Sequence, residues 1–393
     1  MKPKLIRVTT VPISMNILLK NQLSFMAEYF VVIGVSSKDE KHFPEVRQRE
    51  GIRMEAIELT RKISPLKDLL ALWKMYRLFL REKPDIVHSH TPKAGLVAMI
   101  AALLAAVPTR LHTLAGMPLM EANGFHKFIL TITEKITYAC AHKVYPNSLG
   151  LKNFVLSNKM CSPSKLKVIG NGSSNGIDTG YFSPENDFMK PGLKNEVRQK
   201  YNVEKDDIVF CFVGRVVNDK GIRELVQAFS KLVNHENSTC KLVLVGPLGI
   251  GKDSLDAVTE NIINSNTQIR FVGRHDDIRP FLFMSDIFVF PSYREGFPNV
   301  VLQAGAMGLP SIVTDINGSN EIIIHGQNGL IVPVKDADRL LDAMNLLSKD
   351  IELRKNLASN ARSMIVNRYN QQALWSELLL EYNSMLINKE SEN

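Results

Sequence analysis

DIFVFPSYREGFPNVVLQAGAMGLPSIVTDI, residues 286–316, decides the fold. It opens on an apolar run, DIFVFPS (286–292), and closes on another, SIVTDI (311–316). Both have the β-branched and aromatic content of strands. Between them lies a Gly-Phe-Pro turn at 296–298 that leads into a helix. Strand, turn, helix, strand is one βαβ unit of a parallel sheet. Pro298 suits the first helical turn, where its missing N–H costs nothing. The amides around Gly296, Phe297 and Asn299 then lie near a helix N-terminus, which attracts anions. A carboxylate at Glu295 suits sugar hydroxyls rather than phosphate, because it accepts hydrogen bonds from them. Asn299 and Gln303, four residues apart, share a helix face placed to meet a ribose.

The same alternation extends outward in both directions. Towards the amino terminus of this half it includes IVFCFVGRV (208–216), KLVLVG (241–246) and IRFVG (269–273), and GLIVPV (329–334) follows SIVTDI. From about 336 the pattern is helical to the end. The first half repeats the theme with LIRVTTV (5–11), YFVVIGVSS (29–37), MEAIEL (54–59), DIVHSH (85–90), RLHTLAG (110–116), KVYPNS (143–148) and LKVIGNG (166–172). Residues 173–207 interrupt it with Gly, Ser, Asn and Pro, the composition of a linker. The expected class is therefore α/β, with two Rossmann-like domains facing across a cleft. The expected spans are 1–185, 186–368 and a terminal helix, 369–393, packing back on the first domain. Ligands of such sheets bind outside the carboxyl ends of the strands, which places the site in the cleft.

Composition narrows the function. With 393 residues, 45% hydrophobic and 22% charged, the chain suits two soluble globular domains. Its longest apolar run, AGLVAMIAALLAAV (94–107), suits a buried helix and is too short to span a bilayer. No signal peptide is expected from MKPKLIRVTTV, and four cysteines without metal spacing fit a reducing cytoplasm. Through residue 185 there are 25 Lys and Arg against 14 Asp and Glu, a net of +11, and the remainder nets −3. That field fits an anionic membrane, nucleic acid or a phosphorylated acceptor, or merely a solubilising surface. Neither half carries GxGxxG after its first strand, and no GxxxxGK[ST] occurs, so a nicotinamide, flavin or P-loop enzyme is disfavoured.

VGRVVNDKGIRELVQAF (213–229) ends a strand at Gly214 and starts a helix near Gly221, with Arg215 and Lys220 in the loop between. Two cations there suit a pyrophosphate, although two surface cations at a loop would look the same. Together with PSYREGFPNVVLQAGAMGLPSIVTD, this stretch resembles the nucleotide-sugar site of retaining glycosyltransferases of family 4, which have the GT-B fold. DIVHSHTPKAG, NGIDTGYFSP and the terminal helices match further landmarks, so the resemblance covers nearly the whole chain.

The resemblance implies that Arg215 and Lys220 bind the donor diphosphate and stabilise it as it leaves. It implies that Glu295 contacts the donor sugar, and that Gly214 and the turn at Gly296, Phe297, Pro298 and Asn299 line the donor. Gln303 stands where the second carboxylate of the family's two-glutamate motif binds ribose; an amide still accepts from one hydroxyl and donates to another. Ala115 stands where many members have a sugar-contacting His, and VPISMN replaces a common Gly-Gly pair. Ser14, His90 and His112 are expected on the acceptor side, with His88 and His90 as cleft wall and no metal. Trp73 and Phe79, among Lys67, Lys74, Arg77, Arg81 and Lys83, form either a membrane-facing stripe or an aromatic core face.

The expected activity is metal-independent, retaining transfer of a sugar from a nucleotide donor, a UDP-sugar, to a polyprenyl-diphosphate-linked or other saccharide acceptor. No cofactor and no nucleic acid partner is expected. The protein is expected to lie in the cytoplasm, peripheral on the inner face of the plasma membrane, touching anionic lipid through its basic half. A UDP-sugar 2-epimerase of the same fold and a non-catalytic sugar-nucleotide-binding protein are the alternatives. Incubating donor without acceptor separates the first, since only an epimerase converts the sugar.

Overall fold

The structure is a computed structural model that describes every residue except 1, 61–63, 121, 191, 235–238, 250, 252–253 and 391–393. The chain divides into two units, Met1–Gly176 with Gln371–Asn393, and Ile177–Asn370. The first unit holds β1 (Lys4–Val8), β2 (Val31–Ser36), β3 (Arg53–Ala56), β4 (Ile86–His90), β5 (Thr109–Leu114) and β6 (Lys143–Pro146). Its helices are α1 (Pro12–Leu18), α2 (Gln22–Ala27), α3 (His42–Glu50), α4 (Pro65–Glu82), α5 (Pro92–Leu104), α6 (Gly124–Cys140) and α7 (Leu149–Ser157).

The second unit begins with α8 (Leu193–Lys200) and holds β7 (Ile208–Val213), β8 (Cys240–Val245), β9 (Ile269–Gly273), β10 (Ile287–Phe290), β11 (Ser311–Thr314) and β12 (Gly329–Val332). Its further helices are α9 (Ile222–Leu232), α10 (Ala257–Ser265), α11 (Arg279–Met284), α12 (Asn299–Ala306), α13 (Ser319–Ile322), α14 (Ala337–Lys349) and α15 (Ile351–Tyr369). The last helix, α16 (Gln371–Glu390), belongs to the first unit, where Leu374, Leu378 and Tyr382 join the core beside Leu5 and Ile86.

Each unit contains a six-stranded sheet whose paired strands are all parallel, ordered β3-β2-β1-β4-β5-β6 in one and β12-β11-β10-β7-β8-β9 in the other. Counted within each unit, the two orders are the same doubly wound order. It reverses direction between the first and fourth strands, β1 and β4 or β7 and β10, and ligands bind beside that reversal. Strands covered on both faces are apolar throughout, as IVFCFV of β7 illustrates.

Three expectations change. LKVIGNG (166–172) is not a strand; Leu166 makes only an isolated bridge to Val144, and Gly170 and Gly172 turn the chain with positive φ. The boundary expected at 185 falls at 176. Residues from Ile177 onward already pack in the second unit: the Ile177 amide donates to the Tyr369 carbonyl at 2.8 Å, Phe182 is core, and Arg362 donates to the Thr179 and Phe182 carbonyls. The second boundary falls after Asn370 rather than 368. The expected helix to 393 is described to Glu390, and 391–393 lie outside the described residues.

Candidate active site

The two sequence motifs meet at the β7/β10 reversal. β7 ends at Val213; Gly214 and Arg215 follow, and a single 3-10 turn, Asn218–Lys220, leads to α9 through Gly221. Gly221 has φ 69°, and a Cβ there would stand 2.0 Å from the Pro291 carbonyl oxygen, so only glycine lets the loop lie against the end of β10. The Asp219 carbonyl accepts from the Tyr293 amide at 3.0 Å, which fastens the loop after β7 to the loop after β10.

Side chains complete the arrangement. Lys220 Nζ stands 2.5 Å from Glu295 Oε1, and Ser292 Oγ donates to the same oxygen at 3.1 Å. Arg294 donates to Asp219 Oδ2 at 3.0 Å, and Arg215 lies 3.7 Å from that oxygen. Lys220 and Glu295 are mostly covered, 16% and 19% exposed, while Arg215 is 49% exposed. Thr314, at the end of β11, donates to the Ser292 carbonyl. Asn317 Nδ2 donates to the carbonyls of Gly296 at 2.6 Å and Glu295 at 3.2 Å, holding the turn from its other side. Tyr293 donates to Glu224 at 2.6 Å; burial and that carboxylate push its hydroxyl well above the usual phenol range.

The turn then enters α12. Pro298 is the N-cap, with ψ 104°, and not the first helical residue expected. The Phe297 side chain turns into the core against the Tyr369 ring, 5.5 Å between centroids, so at that position only the main chain faces the loop. Asn299 and Gln303 fall on one face of α12. Gln303 Oε1 is buried and has no hydrogen-bond partner among the described residues, and Asp219 Oδ1 is in the same condition. A buried acceptor without a donor is costly, so both oxygens have unused capacity for a hydroxyl or N–H.

The corresponding end of the first unit's sheet is built differently. Arg7 sits in β1 opposite His88 of β4 and is fully buried. It donates to His90 Nε2 at 2.9 Å and 3.2 Å and to Gln22 Oε1 at 2.6 Å. Gln22 donates to Asn175 Oδ1 at 3.0 Å, as does Trp375 of α16 at 2.8 Å. His88 uses both ring nitrogens, 2.6 Å from the Tyr382 hydroxyl and 2.8 Å from the Thr113 hydroxyl. Burial first, then neighbouring positive groups, keeps His88 and His90 well below the ordinary imidazole range, so both are neutral. A cavity of about 20 Å³ beside Arg7, His90 and Asn147 has room for a water and none for a sugar.

Two acceptor-side assignments are corrected here. His90 is sealed, 1% exposed, and is not a cleft wall. His112 points to the other face of the sheet and lies in the core, with Nδ1 2.9 Å from Ser89 Oγ and its ring against Gly95; burial lowers it to about 4. Ser14 is half-buried on α1, just after β1. Among the described residues no three His, Cys, Asp or Glu converge as metal ligands.

The sequence reading missed Ser292, Asp219, Arg294 and Asn317. Each had a local signal: Ser292 stands three residues before Glu295, Asp219 and Arg294 adjoin the named charges, and Asn317 opens an Asn-Gly turn after β11. It also missed the Arg7 network, whose signal was one cation inside an otherwise apolar β-branched run.

Two doubly wound units, with cations and a carboxylate at the reversal of the second, are the frame of the GT-B glycosyltransferases. Residues 27–172 match the family described as Glycosyl transferase 4-like domain, and 194–364 match Glycosyl transferases group 1. A capsular polysaccharide biosynthesis glycosyltransferase, CapM of Staphylococcus aureus, is 34% identical over 376 residues, 95% of each chain. The Escherichia coli UDP-Gal:alpha-D-GlcNAc-diphosphoundecaprenol alpha-1,3-galactosyltransferase is 29% identical over 333 residues, 84% of this chain and 83% of its own. Among solved structures, Anabaena HepE in complex with UDP superposes with TM-score 0.81 at 19% identity, over 98% of this chain and all of that one. The chain belongs to the group 1 glycosyltransferases with a 4-like amino-terminal domain, and it is a glycosyltransferase of polysaccharide assembly.

Proposed function

We propose that the enzyme moves a sugar from a UDP-sugar, with retention and without a metal ion, to a hydroxyl of a lipid-linked saccharide at the cytoplasmic face of the membrane. The observation that carries the reading is the Lys220–Glu295 pair at the β7/β10 reversal, beside the start of α12. Lysine has three donors, so Lys220 keeps Glu295 while donating a further hydrogen bond to a phosphate oxygen. Arg215 adds a planar fork beside it, and the first amides of α12 add partial positive charge. Both side-chain bonds to Glu295 fall on Oε1, which leaves Oε2 as the acceptor for a hydroxyl of the donor sugar in this reading. Gln303 Oε1 then accepts from a ribose hydroxyl.

In this reading the bond from the anomeric carbon to the diphosphate breaks as the acceptor oxygen adds on the same face. The acceptor proton passes to the departing phosphate oxygen. The transition state resembles an oxocarbenium ion, and the charge that develops on the diphosphate meets Lys220 and Arg215 already in place. The UDP donor and the undecaprenyl-linked acceptor are supported by the named substrates of the E. coli relative and by the UDP held in the Anabaena structure. The basic first half supports peripheral contact with anionic lipid.

Lys220→Ala tests the reading. Transfer should fall by about a hundredfold or more, carried in kcat, with the melting temperature nearly kept. Normal turnover by this variant would remove the diphosphate assignment. Thermal shift with a panel of nucleotide sugars tests the base: stabilisation is expected with a UDP-sugar, and silence with all of them excludes UDP.

A further inference from the structure

α6 is built the wrong way round for a helix in water. Its outward face carries Phe125, Phe128, Ile132 and Ile136, spaced at three and four residues, with Phe125 76% exposed. Its inward face carries Glu134, Thr137 and Tyr138, and burial raises the Glu134 carboxyl to about 7. A surface helix normally presents the opposite pattern. The Phe125 and Phe128 rings stack on each other with centroids 6.4 Å apart.

α4 has a related excess. It packs Ala71, Met75, Leu78 and Phe79 inward, which places Phe79 on the core face, one of the two alternatives its sequence left open. It also presents Leu66, Leu69, Leu70, Trp73 and Leu80 outward, with Leu66 84% exposed. Both helices pack on α5, so they lie on one side of the first sheet. Helices that link parallel strands run against them, so the first turns of α4 and α6 stand at the carboxyl ends of the strands, the ligand-binding end.

Charge identifies the occupant. The only carboxylates on α4 and α6 are Asp68, Glu82 and Glu134. Asp68 is paired with Lys93, Glu82 is held by Lys4, Arg53 and Arg81, and Glu134 is buried. Lys67, Lys74 and Arg77 on α4, and Lys127 and Lys135 on α6, stay exposed among the apolar residues. Two copies of such a face would repel each other, whereas an anionic bilayer takes both its cations and its rings.

We propose that the outward faces of α4 and α6 form one membrane seat. Phe125, Phe128, Leu66 and Trp73 enter the interfacial layer, and the flanking Lys and Arg residues contact anionic headgroups. The seat rests on the lipid-linked acceptor reading and gives it a place: the acceptor end of the first unit lies against the lipid from which the acceptor comes.

The test is flotation of the full chain with vesicles of phosphatidylcholine alone and of a three-to-one mixture with phosphatidylglycerol. Wild type should bind the mixed vesicles and lose that binding as salt rises. Phe125→Ser with Phe128→Ser should weaken it by about tenfold or more, the scale of two rings kept out of an apolar layer. Lys67→Glu with Lys127→Glu should weaken it by about tenfold or more on mixed vesicles. The chain has two tryptophans, and Trp375 is buried, so a blue shift of emission on vesicle addition that Trp73→Phe abolishes places α4 in the lipid.

Absence of wild-type binding overturns membrane contact and the seat together. Binding unchanged in the phenylalanine variant overturns the seat alone. A dimer that becomes monomeric in that variant, with vesicle binding unchanged, assigns the face to a second copy. Transfer to a short-chain, water-soluble acceptor should proceed at the wild-type rate in the phenylalanine variant; loss of that rate overturns the separation of seat from chemistry. The Lys220 test stands independently of all these outcomes.

Discussion

The two units share a strand order and use the same place in it for opposite ends. At the β7/β10 reversal, Lys220, Glu295, Arg215 and Asp219 are partly open, and their charges are paired but not sealed. At the β1/β4 reversal, Arg7, His88 and His90 are fully enclosed and bonded to Gln22, Tyr382 and Thr113. The topology explains why polar residues collect at both places. Exposure decides what they can do: open ion pairs can exchange a partner for a ligand, while buried hydrogen bonds fasten α2 and α16 to the sheet. The open reversal is the one the proposed chemistry uses, and the sealed one holds the first unit together.

The largest expected effect sets the two arginines against each other. Arg215→Ala should lower kcat by about a hundredfold to a thousandfold, with stability within about half a kcal/mol of wild type. Arg7→Ala should do the reverse, removing roughly 3 kcal/mol of stability in denaturant titration while folded enzyme keeps its turnover. If Arg7→Ala lost turnover without losing stability, the first unit's reversal would be a functional site and the contrast would fail.

Glu134 sharpens the contrast through pH. Its folded carboxyl titrates near 7 against an ordinary 4.5, so its stabilising contribution is complete below 4.5 and is lost as pH rises through 7. Glu134→Gln should therefore be the more stable protein at pH 8 by something on the order of 3 kcal/mol, with the difference closing near pH 4. Denaturant titrations of both proteins across that range measure it, and a constant difference would mean that the carboxyl is not held protonated.

The smallest effect is at Gln303. In the proposed donor pose Gln303→Glu places a charge beside the ribose and should lower the donor KM by up to about tenfold, since a charged acceptor strengthens a hydrogen bond. An unchanged KM would take position 303 out of the ribose contact.

Much of this was open to a reader of the sequence. The β-branched runs at 208–216, 286–292 and 311–316 become β7, β10 and β11 because period and composition are local properties. Arg215, Lys220 and Glu295 could be picked out because their loops follow strands and precede helices, a pattern of short range. LKVIGNG was misread because its apolar content matches a strand while two glycines turn it away. Asn317 was missed because it holds a different loop, the turn at 295–296, and its own Asn-Gly signal does not say which loop that is.

By itself the sequence determined the alternation of strand and helix, the two sheets, and the kinds of group at the second reversal. Those follow from side-chain shape, periodicity and turn chemistry over a few residues. Only the tertiary structure decided that Lys220 pairs with Glu295 across 75 positions, that His90 and His112 are sealed on opposite faces of one sheet, and that Phe297 is core. It also decided that α6 turns its phenylalanines outward and its glutamate inward. Burial and pairing are set by what distant segments bring to the same place, and a sequence read along its length cannot supply that.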